Sequence, residues 1–276
     1  MLHFLIAAAL AATAPESATS ATPSPTRPDA KPAIWVVNDE DTIIYLFGTF
    51  HALDGKADWF NDEVRTAFAG SQELVLEALV PDIKDRSAPK KVRGPMAARA
   101  PGGDALPALA GSASFLTNTR QVMAAGRSQG LRTDQGADAI LRRAAEAAGM
   151  PVGALETVDF QLGMMNRMPA APGPTSPGQA LAVHRQLATV LAFLQAAWNR
   201  GDVDSLAPML EQMRVSSPLG YQLMFRERNR RWAGWIANRL ETPGTVFVAV
   251  GAGHLAGPDS VQHKLADRNI RSARLN

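Results

Sequence analysis

Cysteine is absent from all 276 residues, which excludes disulfides, thiolate metal sites and cysteine nucleophiles and leaves histidine and carboxylate as the strong ligands available. Charge of one sign is lacking too. The 28 Lys and Arg nearly balance the 26 Asp and Glu, and they are interspersed rather than gathered in a stripe, so no nucleic acid is expected among the partners. Glycine-rich phosphate loops, a serine-centred elbow and H-E-x-x-H are also missing, which argues against nucleotide, serine-hydrolase and zincin chemistry. Beyond the first dozen residues no stretch reads as long and apolar enough to span a bilayer, so no transmembrane segment is expected in the mature chain. With 46% hydrophobic and 20% charged residues, what remains is an ordinary globular composition of one or two domains.

The apolar run Phe4 to Ala12 is too short for a membrane helix but suits the core of a secretory signal, with small residues at Ala12-Thr13-Ala14 and again near Ala18 and Ala21. No Lys or Arg precedes it. Residues 1–21 are expected to be a signal peptide, residues 22–32, rich in Ser, Thr, Pro and Ala, a disordered lead-in, and residues 33–276 one α/β domain. The expected location is therefore secreted or periplasmic.

Within that domain, Thr42 to Phe47 is an apolar, β-branched run that enters Gly48-Thr49-Phe50-His51. Thr245 to Val250 repeats the pattern and enters Gly251-Ala252-Gly253-His254. Both read as strands that end in a glycine turn with a histidine three residues on. Ala33 to Val37 should pair antiparallel with the first of them across a polar turn. Glu73 to Glu77 and Met150 to Leu155 are further strands, each ending in a carboxylate, Glu77 and Glu156. Helical spacing marks residues 58–69, 114–129, 138–148, 179–200, 202–213 and 217–240, and residues 260–268 and 270–275 close the chain as helix and strand. Residues 81–112 show little periodicity and read as a mobile excursion; residues 170–178 read as a proline-rich linker. The fold class expected is α/β, a mixed central sheet flanked by helices, with a helical section from about 178 to 240 covering the cleft.

In open α/β sheets, ligands sit outside the carboxyl ends of the strands, which is where both histidines and Glu77 should emerge. Two neutral imidazoles and an anionic oxygen are what a divalent metal needs while leaving positions open for water. Alternatively, Glu77 is a general base and not a ligand. His184 and His263 lie among charged neighbours on expected helices and read as solvated surface; Trp232 and Trp235 read as core.

The pattern resembles the TraB/GumN family, whose relatives include the TIKI-type metallopeptidases. The matching pieces are Leu46 to His51, Leu74 to Glu77, Thr133-Asp134, Leu155-Glu156-Thr157 with Gln161, Arg228-Asn229, and Val248 to Gly257. The resemblance implies a metal-dependent hydrolase, a metallopeptidase acting on a peptide or protein substrate; with only two imidazoles the metal's remaining ligands would be carboxylate and water, which leaves Mn, Co or Zn open. It places metal on His51, His254 and Glu77 and catalytic roles on Glu77, Arg228 and Asn229, with Arg228 holding a substrate carboxylate or an oxyanion. Gly48, Thr49, Gly251, Gly253, Asp134, Glu156 and Gln161 would form the turns and the supporting shell. Two rival readings use other features: a non-catalytic protein that captures a peptide or haem-like ligand in the same cleft, and an interaction module that exposes the apolar face around Trp232 and Trp235.

Overall fold

A computed structural model describes residues 27–79, 113–168 and 174–276. The signal-peptide expectation and the excursion at 81–112 lie outside the described residues. Six strands form one mixed sheet in the order β4-β3-β5-β2-β1-β6. They are β1 (Ile34–Asn38), β2 (Thr42–Thr49), β3 (Glu73–Ala78), β4 (Val152–Glu156), β5 (Gly244–Gly251) and β6 (Ala273–Arg274). β1 and β2 make the expected hairpin, with Ile34 opposite Phe47, and Asp39 closes its turn by accepting from the Asp41 and Thr42 N–H groups. β2, β5, β3 and β4 run parallel, so their carboxyl ends lie along one edge.

Helices cover both faces, which is why the central strands are continuous apolar runs rather than alternating ones. Phe47, Leu74, Phe247 and Ala249 point to one face, where they meet α1 (Asp62–Ala69), α3 (Ala137–Ala147) and the end of α5 (Pro177–Asn199) through Val64, Phe68, Leu141 and Trp198. Ile44, Leu46, Val75 and Val248 point to the other, onto Trp232 and Ile236 of α8 (Glu227–Leu240) and Val261 and Leu265 of α9 (Val261–Ala266). α2 (Ala113–Ser128) packs on α5, with Gly126 against Leu191. α4 (Val158–Asn166) follows β4 and is capped by Thr157, while α6 (Ala207–Ser216) and α7 (Pro218–Tyr221) lead to α8.

Several expectations change. The helical section divides between the faces of the sheet, its first part packing on one and α8 on the other. The helix expected over 217–240 is interrupted by a π-helical turn, Gln222–Arg226. Of the lead-in, residues 27–32 are held in place, since the Ala30 N–H donates to the Asp58 carbonyl, the Lys31 N–H to that of Asn199, and Ala30 is buried. Pro177, read as linker, is the first residue of α5, where a proline loses no hydrogen bond, behind a Ser176 cap. α5 is also, by length and composition, apolar enough to cross a membrane, against the expectation that no later stretch is.

Candidate functional site

His51 stands just past β2 on a loop that the next elements hold down. The Ala137 N–H donates to the Phe50 carbonyl at 3.0 Å, Leu53 and Arg132 exchange both backbone hydrogen bonds, and Gly136 lies so close that a Cβ there would be 2.2 Å from the His51 carbonyl oxygen. This approach brings the first turn of α3 to the imidazole. His51 Nδ1 sits 3.2 Å from Asp138 Oδ1, so Nδ1–H donates to the carboxylate and Nε2 is left for the cleft. Donating this hydrogen bond to Asp138 raises the pKa of His51 to about 9, against the effect of burial and with help from the negative charges of Asp138 and Glu77. The imidazole is 64% exposed, so solvent screens this pair. Asp134, the carboxylate singled out in the sequence, instead lies at the surface paired with Arg132.

His254 is placed by the opposite logic. It follows β5 in a short 3-10 turn, buried between the rings of Trp232 at 4.4 Å and Phe225 at 5.0 Å. Asn229 Nδ2 donates to the Asp259 carbonyl at 2.7 Å, which fixes the amide so that its Oδ1 faces His254 Nδ1 at 2.6 Å. That contact assigns the proton to Nδ1. Burial, with the nearby charges of Arg228 and His51, pushes His254 down to about 3 against the pull of Glu77, and the ring stays neutral.

Glu77 emerges from β3 between these groups. Its Oε1 accepts from the Gly251 N–H at 2.6 Å and its Oε2 from Arg228 Nη2 at 2.7 Å. Burial alone would push its pKa up, but the cationic neighbours and the Gly251 N–H hold it at about 2. At the low pH where Glu77 titrates, the charge on His254 is the largest of these, followed by Arg228 and His51; at pH 7, where His254 is neutral, Arg228 and His51 remain. Glu77 is an ionised carboxylate with one lone pair still free on each oxygen.

Arg228 has no such freedom. Its Nε donates to both oxygens of Glu156, Nη2 bridges Glu156 at 2.9 Å and Glu77, and Nη1 reaches the Met224 carbonyl at 3.3 Å and His254 Nε2 at 3.1 Å. A guanidinium has five N–H bonds, and all five have acceptors. The side chain is 3% exposed, and its plane lies over the Trp232 ring. In this arrangement Arg228 and Asn229 hold Glu77 and His254, and every Arg228 N–H is engaged within the protein. Glu156 anchors Arg228 in turn, accepting also from Trp232 Nε1, Arg231 and Gln161. Trp232 is buried, so the exposed interaction face around it is not formed.

His51, Glu77 and His254 do converge. A Cβ built on Gly251 would lie 3.1 Å from Glu77 Oε1, 3.6 Å from His51 Nε2 and 3.7 Å from His254 Cδ2. The glycines matter here for approach, since neither Gly48 nor Gly251 has a positive φ; Gly48 lies against Ala252, and Gly253 makes room for Phe225. Thr49 ends β2 buried, its hydroxyl without a partner among the described residues. As a metal site the donor chemistry fits only in part. Both Nδ1 atoms are anchored, as ligating imidazoles usually are, but His254 Nε2 is taken by Arg228. As placed, His51, Glu77 and His254 do not form a ready group of three metal ligands among the described residues.

Sequence reasoning missed Asp138, which read only as the start of a helix, and Phe225, whose place depends on the π-helical turn. The TraB/PrgY/gumN family model matches residues 33–115 and 108–274. No curated protein and no solved structure matches the chain.

Proposed function

The chain belongs to the TraB/PrgY/gumN family, and from that premise we propose that it is an extracytoplasmic hydrolase that cleaves amide bonds in peptides. The observation that carries the reading is the convergence of Glu77 and His51 on the open side of Gly251, with their proton affinities driven apart. Two titratable groups separated in this way divide into a base and an acid. Glu77, ionised, takes a proton from a water held between it and His51 as that water attacks the carbonyl carbon. His51, protonated and steadied through Nδ1 by Asp138, gives its Nε2 proton to the departing amine as the C–N bond breaks. Export rests on the apolar run at Phe4 to Ala12, and N-terminal sequencing of protein from fractionated cells tests it, with a mature start between about Ala14 and Ala21 expected.

A metal-dependent form, with Mn, Co or Zn on His51, Glu77 and His254, is a second reading that the anchoring of both Nδ1 atoms favours. It requires Arg228 Nη1 to give up His254 Nε2. A peptide library, digested by protein purified without chelator and assayed for metal, separates the two. Cleavage that survives chelation and falls by roughly a hundredfold or more in Glu77→Gln and in His51→Ala supports acid-base catalysis by the side chains. Cleavage that requires a bound ion supports the metal form. No cleavage under any condition, with peptide binding intact in Glu77→Gln, hands the cleft to the non-catalytic binding reading.

A further inference from the structure

The pair of helices α2 and α5 stands apart from the rest of the chain in composition. Across Ala113–Ser128 and Pro177–Asn199 there is not one Asp or Glu, in a protein whose charges are otherwise balanced. Three exposed arginines remain, Arg120, Arg127 and Arg185, and none makes an ion pair among the described residues. Elsewhere Arg132, Arg142, Arg200, Arg214 and Arg226 have acidic partners, while Arg65, Arg143, Arg230, Arg268 and Arg271 are exposed without an ion pair among the described residues; what sets α2 and α5 apart is that neither helix carries any anion. The same two helices expose large apolar side chains: Leu181 at 50%, Phe193 at 51%, and with them Val190, Val122 and Met123. Only 17% of the most apolar 18-residue window of α5 is buried, although the helix is long enough to traverse a bilayer.

A helix that must only stay in water disperses its unburied apolar groups among charges of both signs. A helix with apolar groups, cations and no anions matches one kind of surface, the headgroup boundary of an anionic membrane, where Phe and Leu enter the acyl edge and Arg meets phosphate. We propose that the α2–α5 pair is a membrane-docking face that lies along anionic lipid. The α5 end nearest the sheet stays in the protein, since Trp198 is buried and its Nε1 donates to the Gly48 carbonyl at 2.7 Å, so the helix lies on the lipid without crossing it. Because Gly48 begins the turn that carries His51, docking would set the cleft at a fixed height above the membrane.

Cosedimentation of the full chain with vesicles tests this, using phosphatidylcholine alone and phosphatidylcholine mixed with phosphatidylglycerol. Binding is expected only to the second, and added salt should weaken it. Changing Arg120, Arg127 and Arg185 together to Gln should lower affinity roughly a hundredfold, at about tenfold or less per cation, and Phe193→Glu should lower it at least about tenfold. The variants share residues 1–21 with the wild type, so the difference between them reads the helical face. All four side chains are exposed, and equal thermal melts will show that the variants fold. Equal binding to both vesicles, no binding to either, or unchanged binding in the variants would overturn the proposal. So would a concentration-dependent dimer in light scattering that Phe193→Glu abolishes, because a second copy would then be what covers the face.

Discussion

A methyl group at position 251 would occupy the space that Glu77, His51 and His254 share, 3.1 Å from the Glu77 oxygen, while the backbone there, at φ −53 and ψ 135, suits alanine. Gly251→Ala should therefore fold with a stability within about 1 kcal/mol of wild type and lose peptide cleavage by roughly a hundredfold. A melting curve and the peptide assay together check this; unchanged cleavage would show that substrate and water approach elsewhere. Arg228→Ala should behave differently. It removes the guanidinium that Glu156 and the partly buried Glu77 share, leaving Glu156 its bonds from Trp232, Arg231 and Gln161 and Glu77 that from the Gly251 N–H, and breaking such a network from one side costs about 3–5 kcal/mol, read as a lower urea midpoint. Were the loss confined to turnover, Arg228 would be a substrate-binding residue after all. At this scale the sequence showed the histidines and Glu77 plainly, because a glycine turn or a strand end marks each. The role of Arg228 was hidden, since its five acceptors come from Glu77, Glu156, Met224 and His254, residues that only the fold brings together.

Elements show their positions in sequence more readily than the joints between them. The strands were legible because their apolar runs are bounded by turn residues, and α3 because glycine ends it. The π-helical turn was not, since one extra residue in a helix leaves the apolar pattern almost unchanged while it moves the Met224 carbonyl to Arg228 and Phe225 onto His254. The joint between α3 and the His51 loop makes a direct prediction. Gly136 has an ordinary φ of −58, so only the closeness of His51 demands glycine there. Gly136→Ala should push the loop outward, break the Ala137 to Phe50 hydrogen bond and part His51 from Asp138, costing about 1–3 kcal/mol and most of the activity. A crystal structure of the variant would settle it, and an unmoved His51 would refute the account.

For the whole molecule, the buried site dictates how stability responds to acid. His254 at about 3 and Glu77 at about 2 bind protons more weakly in the folded state than at their ordinary values of 6.5 and 4.5, so the unfolded chain gains protons first as pH falls. Their contributions are complete above about pH 6.5; that of His254 is lost between 6.5 and 3, and that of Glu77 between about 4.5 and 2. The raised pKa of His51 acts in the other sense, present below 6.5 and lost as pH rises through about 9, and its exposure keeps it small. Urea midpoints across pH should fall steadily below about 6.5, and a flat profile down to pH 4 would contradict the buried neutral His254. The strand order carries a further consequence, for time rather than for energy. β5 is the fifth strand to be synthesised, yet it lies in the middle of the sheet, between β3 and β2. Until residues 244–251 have left the ribosome, the strands already made form two separate halves that cannot join. Such a chain completes its fold late, through contacts between distant residues that are slow to find. The β1–β2 hairpin and the β3–β4 pair can form earlier, but the single sheet that brings Glu77 beside His51 and His254 waits for β5.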